Sequence, residues 1–140
     1  MAGTLARRHI RNESGAHVRI LLLLLLGAAG TVARYELDGL IQHRAGSTFP
    51  YGILTVNLLG CLIMGGISQY ALSHISIPAD LRVGLTTGLM GGFTTFSAFG
   101  WDTARMLEDG QWPRALVYIG ASVAGGLLMM VTGMRIGGAL

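Results

Sequence analysis

Long uncharged stretches alternate with short charged clusters along the chain. The first, Ile20–Ala33, follows Arg19 and continues past Arg34, Glu36 and Asp38 to about Leu40. The second runs from Tyr51 to Leu72, with no arginine or carboxylate between Arg44 and Asp80. The third, Val83–Trp101, and the fourth, Ala115–Met134, carry no charge. About 20 helical residues span the ~30 Å hydrocarbon layer of a bilayer, so runs of this length read as membrane helices. Strands of a membrane barrel are about half as long and alternate in polarity. The pattern predicts an all-α integral membrane protein with four transmembrane helices at about 18–40, 51–72, 83–101 and 115–134. Together they form a membrane domain over 18–140, preceded by a polar, arginine-rich tail over 1–17 that is expected to be poorly ordered. A second reading applies to the start: a basic flank before a leucine run also fits a secretory signal peptide, with Thr31-Val32-Ala33 as the cleavage site.

Punctuation supports these bounds. Pro50 stands where a helix-opening proline belongs, and Pro78 and Asp80 mark a stop and restart. Trp101 and Trp112 fit an interfacial aromatic belt. The third segment should be interrupted near Gly91–Thr95, where two glycines precede two threonines. Gly84, Gly88 and Gly92 recur every four residues, a spacing that lets helix backbones approach closely.

Composition agrees with the pattern. Hydrophobic residues make up 51% and charged residues 12%, against about 25% charged in a typical soluble domain. There are 22 glycines, and all ten cations are arginines. Arg7, Arg8, Arg11 and Arg19 crowd the N-terminal region without interleaved aromatics, so a cytoplasmic flank is a better reading than a nucleic-acid surface. Arg19, Arg82 and Arg135 at one end face Arg34, Arg44, Arg105 and Arg114 at the other. With so little arginine bias the four-helix core is free to insert in both orientations, and an antiparallel, dual-topology homodimer follows as an expectation. Cys61 is the only cysteine, which leaves no disulfide within one chain. His9, His17, His43 and His74 are scattered and suggest no metal cluster.

With Arg34, Glu36 and Asp38 placed at the far interface, the hydrocarbon zone contains no Asp, Glu, Lys or Arg, which argues against a proton-coupled mechanism run by a membrane carboxylate. What remains is neutral: Asn57, Thr86, Thr87, Thr94, Thr95, Ser97, Ser122 and Thr132. Hydroxyls and a primary amide donate hydrogen bonds. They either join helices or replace the hydration shell of a small anion. Asn57, an amide at mid-membrane, favours the second use. Phe96 and Phe99, three residues apart, share a helix face, and a phenyl edge is electropositive. Taken alone, such a pair is more often ordinary packing, and its spacing does not establish an anion site.

Gly91–Phe99 (GGFTTFSAF) resembles the GG-x-TTFS-x-F signature of the Fluc/CrcB fluoride channels. Gly27–Tyr35 (GAAGTVARY) and Gly52–Gly60 (GILTVNLLG) are similar to that family's first- and second-helix patterns, and the order agrees from Gly27 to the C-terminus. The resemblance implies a passive fluoride channel in a bacterial inner membrane, built as an antiparallel homodimer with two pores. It implies that Asn57 is a pore donor, that Phe96 and Phe99 turn ring edges to the anion, and that Ser97 lies with them at the pore. It also implies that Tyr118 and Ser122 form a polar track, that the Gly91 and Thr94 carbonyls hold a structural sodium ion, and that Arg34 has a vestibule or structural role. Ala98 departs from the family pattern by replacing a small hydroxyl residue, and the arginine-rich tail is unusual. Fluoride, membrane lipid and a second copy of the chain are the expected partners. No nucleophile–base pair suggests an enzyme. Two rivals stand: a small multidrug-type proton-coupled exporter, which needs an acid inside the first helix where Ile20–Ala33 has none, and a non-transporting assembly subunit.

Overall fold

The computed structural model is helical in every long segment. Its elements are α1 (Ala2–Ala45), α2 (Tyr51–Ser73), α3 (Ala79–Val83), a π-helical segment (Gly84–Met90), α4 (Gly91–Phe93), α5 (Phe96–Glu108) and α6 (Trp112–Ala139). The structure describes residues 15–74 and 76–140. The expectation for the tail falls largely on residues outside that set. Gly15–Ala45, Tyr51–Ser73 and Trp112–Ala139 are each long and apolar enough to cross a membrane.

The helix bounds follow from local chemistry. α1 runs past its predicted end at Leu40 until Gly46, whose φ of 55° supplies the left-handed turn that closes many helices. It is continuous through Thr31–Ala33, and Gly30 packs against the carbonyl of Leu89. α6 opens earlier than expected because Pro113 fits its first turn, where no backbone N–H is required.

Two helix pairs build the bundle. α1 packs along the π-helical segment and α4, while α2 packs along α6. Within each pair the chains run the same way: Gly27 meets Gly88 and Thr31 meets Gly92, while Leu58 meets Gly125 and Gly66 meets Gly137. Arg19 Nε donates to Asp80 Oδ1 at 2.8 Å and ties the start of the first pair. Missing side chains set the closeness of both seams. A Cβ on Gly30 would strike the Leu89 carbonyl, and one on Gly133 would strike the Leu62 carbonyl. In lipid, where no hydrophobic effect draws helices together, such backbone approach supplies the van der Waals contact that does.

The short Gly46–Pro50 turn is anchored rather than loose. Gln42 Nε2 donates to the carbonyls of Ser47 (2.5 Å) and Phe49 (3.0 Å), and its Oε1 accepts from Gly52 N–H at 3.2 Å. Arg114 Nη1 reaches Thr48 Oγ1 at 3.0 Å from the α6 side. Phe49 is thereby driven inward, where it joins Ile53, Met106, Ala115 and Tyr118 in a buried cluster.

Gly30→Ala and Gly133→Ala should each lower stability by about 1–3 kcal/mol, the usual cost of overpacking. Gly39→Ala, with open space around its Cβ position, should be neutral or slightly stabilising. Denaturant unfolding in detergent micelles checks the contrast.

Candidate functional site

The third hydrophobic segment breaks where the sequence weakens it. After α4, Thr94 (φ −87°, ψ 158°) and Thr95 (φ −149°, ψ 113°) are extended, and α5 starts anew at Phe96. β-Branched residues suit extended backbone, and Gly91-Gly92 gives the preceding turn little propensity to resist. Gly60 of α2 makes room for the break, because a Cβ there would strike the Thr94 methyl group.

Buried peptide groups released by a break must find partners. Here side chains supply them. Asn57 pairs with both sides of Thr95: its Nδ2–H donates to the Thr95 carbonyl at 3.0 Å, and its Oδ1 accepts from Thr95 N–H at 2.8 Å. Thr95 Oγ1 caps α5 by accepting from Ala98 N–H at 3.3 Å. Arg34 Nε donates to the Gly92 carbonyl at 3.1 Å. One consequence concerns the acceptors. A continuous helix would give the Gly91 carbonyl the N–H of Thr95, and the Thr94 carbonyl the N–H of Ala98. Asn57 and Thr95 Oγ1 have taken those donors.

Beside the break lies a groove of about 240 Å³ between α2, α5 and α6. Asn57, Cys61, Thr94, Thr95, Phe96 and Ser122 line it, together with Phe99 and Val123. None of these carries a formal charge. Phe96 is 83% exposed and forms the open side. Its ring centroid lies 5.4 Å from that of Phe99 at a 45° tilt. Ser122 Oγ is buried and has no hydrogen-bond partner. Asn57, with one N–H given to Thr95, keeps a second donor. The groove therefore offers an amide donor, a free hydroxyl and two phenyl rings in an otherwise apolar lining.

The structure thus brings Asn57, Phe96, Phe99 and Ser122 together, with Thr94 at the rim of the break. Other residues singled out in the sequence lie elsewhere. Ser97 is exposed, its hydroxyl 3.2 Å from Thr95 Oγ1. Tyr118 is fully buried behind Phe99, with its hydroxyl 3.5 Å from Asp102 Oδ2. Arg34 and Gly91 belong to the break and not to the lining. Sequence reasoning gave Thr95 and Cys61 no individual place. Thr95 carried a signal, a capping hydroxyl three residues before an N–H in need of a partner. Cys61 carried only its position one turn from Asn57 on α2.

Replacing Asn57 by Leu leaves both polar groups of the Thr95 peptide without a partner, at a cost of about 1–3 kcal/mol each. Hydrogen exchange at the amides of Thr95–Ala98 should accelerate in this variant, while the amides of α6 stay at wild-type rates. Unchanged exchange would mean that the pairing does not hold the break.

A family model described as CrcB-like protein, Camphor Resistance (CrcB), matches residues 21–134. Among curated relatives, the fluoride-specific ion channel FluC of Nitratidesulfovibrio vulgaris is 44% identical over 119 residues, covering 85% of this chain and 96% of the relative. That of Geobacter metallireducens is 47% identical over 104 residues, 74% of this chain and 84% of the relative. That of Pelobacter propionicus is 48% identical over 103 residues, 74% and 80%.

Proposed function

The chain belongs to the CrcB family, and we propose from that membership that it is a fluoride-selective channel through which the anion leaves the cytoplasm passively. It is a multi-pass membrane protein, and in a bacterium its place is the inner membrane. Weak acid HF enters a cell and ionises there, so the trapped anion needs an exit. The negative interior and the outward gradient supply the driving force.

The observation that carries this reading is the uncharged groove beside the break. A fixed positive charge would hold a small anion too firmly to conduct it, whereas hydrogen-bond donors replace its water and let it go. Asn57 and Ser122 supply the donors, and Phe96 and Phe99, which line the groove, would turn their electropositive ring edges to the anion. Ser97 and Tyr118 have supporting places, at the α5 cap and behind Phe99. Family membership favours this channel over the proton-coupled exporter. Ile20–Ala33 of α1, with no acidic residue, agrees.

The finer architecture belongs to the same proposal. α3, the π-helical segment, α4 and α5 together form a fourth crossing. The parallel alignment of the π-helical segment and α4 with α1 supports this, as does the short turn that reverses the chain between α1 and α2. A second copy in antiparallel orientation covers the exposed Phe96 and completes two pores. The Gly91 and Thr94 carbonyls would hold a structural sodium ion shared between the two copies. These acceptors fit a hard cation, since their helical donors are engaged elsewhere and unwound carbonyls at membrane depth serve such ions. Arg34, on the neighbouring Gly92 carbonyl, has a structural role.

Vesicles containing the purified protein should release fluoride far faster than chloride, as read by ion-selective electrodes. Phe96→Ile should slow fluoride release by about tenfold or more, equivalent to ~1.4 kcal/mol of barrier, with assembly unchanged by size-exclusion chromatography. Vesicles tight to fluoride would exclude the channel reading. Wild-type release from the variant would remove only the aromatic role.

A further inference from the structure

We propose that Phe49, in the turn between α1 and α2 and outside the groove, is a positioning residue that sets the ring orientation of Phe99; its bearing on conduction rests on the channel reading above.

Four rings form a chain from the anchored turn to the groove. Phe49 meets Tyr118 nearly edge to face, with centroids 5.6 Å apart and planes at 78°. Tyr118 meets Phe99 at 5.2 Å and 49°, and Phe99 meets Phe96 at 5.4 Å and 45°. Aromatic contacts of this kind are directional, because the electropositive edge of one ring seeks the negative face of another. A ring fixed at one end of such a chain therefore biases the tilt of the next.

The burial gradient says which end is fixed. Phe49 is 8% exposed and Tyr118 fully buried, whereas Phe96 at the far end is 83% exposed. The backbone beneath Phe49 is held from both sides, by Gln42 on its own carbonyl and by Arg114 on Thr48. The Phe49 N–H also donates to Ser47 Oγ at 3.1 Å. Tyr118 has no comparable polar anchor: its hydroxyl reaches Asp102 at 3.5 Å, the outer limit of a hydrogen bond. Packing against Phe49 must orient it. Restraint thus passes from the Gln42-anchored turn through Phe49 and Tyr118 to the Phe99 ring in the groove lining.

The test uses the full chain in vesicles. Phe49→Leu keeps an apolar side chain of similar bulk but removes the ring. Phe49→Tyr keeps the ring. Met106→Ala opens the same buried cluster while leaving all four rings in place. Two readouts are taken: fluoride efflux, and the fluorine NMR resonance of para-fluorophenylalanine incorporated in place of Phe99. Phe49→Leu should slow efflux about three- to tenfold, the rate equivalent of one directional aromatic contact, and should shift or broaden the resonance. Phe49→Tyr should stay within about twofold of wild type. Met106→Ala should lower thermal stability while leaving both readouts in place. An unmoved resonance in Phe49→Leu overturns the proposal, as does an equal response in Met106→Ala. If wild-type protein conducts and Phe49→Leu conducts equally well, the proposal fails while the channel stands. If wild-type vesicles are tight to fluoride, the channel reading fails, and the resonance alone decides whether Phe49 orients the ring.

Discussion

A peptide group cannot be left without a partner in hydrocarbon, where each orphan costs several kcal/mol. That constraint governs the centre of this molecule. Opening the helix at Thr94 and Thr95 deprives polar backbone of its helical partners. The opening persists because Asn57, Thr95 and Arg34 take up the released groups. Everything notable about the site follows from this exchange. The groove lies beside the break, the phenylalanines begin the new helix, and the Gly91 and Thr94 carbonyls are left without their helical donors.

Asn57 accordingly has two tasks. Its oxygen and one of its N–H groups are structural, and only the second N–H remains for a guest in the groove. A primary amide is suited to this division because it can match a peptide group on both sides and still have a hydrogen to spare. Neither a carboxylate nor a hydroxyl has that combination. The same residue thus holds the break together and lines the groove beside it.

Much of this was legible in the sequence, for physical reasons. The uncharged runs fixed α2 almost to the residue, because lipid tolerates no charge in mid-span. The pair Gly91-Gly92 before two threonines marked the interruption, because low helix propensity is a local property. The family resemblance grouped Asn57, Phe96, Phe99, Ser97, Tyr118 and Ser122, and the structure brings four of these, Asn57, Phe96, Phe99 and Ser122, to one groove. What the sequence concealed was non-local. That Asn57 meets Thr95, or that Arg34 meets Gly92, depends on how two helices pack across tens of residues. Tyr118 shares a helix face with Ser122, yet its ring is buried behind Phe99 while Ser122 faces the groove. Spacing along one helix does not say which neighbour covers a side chain. The π-helical turn over Gly84–Met90 had no signature at all.

That π-helical turn and the extended pair after it together decouple helical phase. In an unbroken helix, one inserted residue rotates everything downstream by about 100°. Here α5 takes its azimuth from Asn57 and from its own cap, not from the turns preceding Thr94. The upstream segment can therefore gain or lose a residue during descent, adjusting its fit against α1, without swinging the aromatic rings out of register.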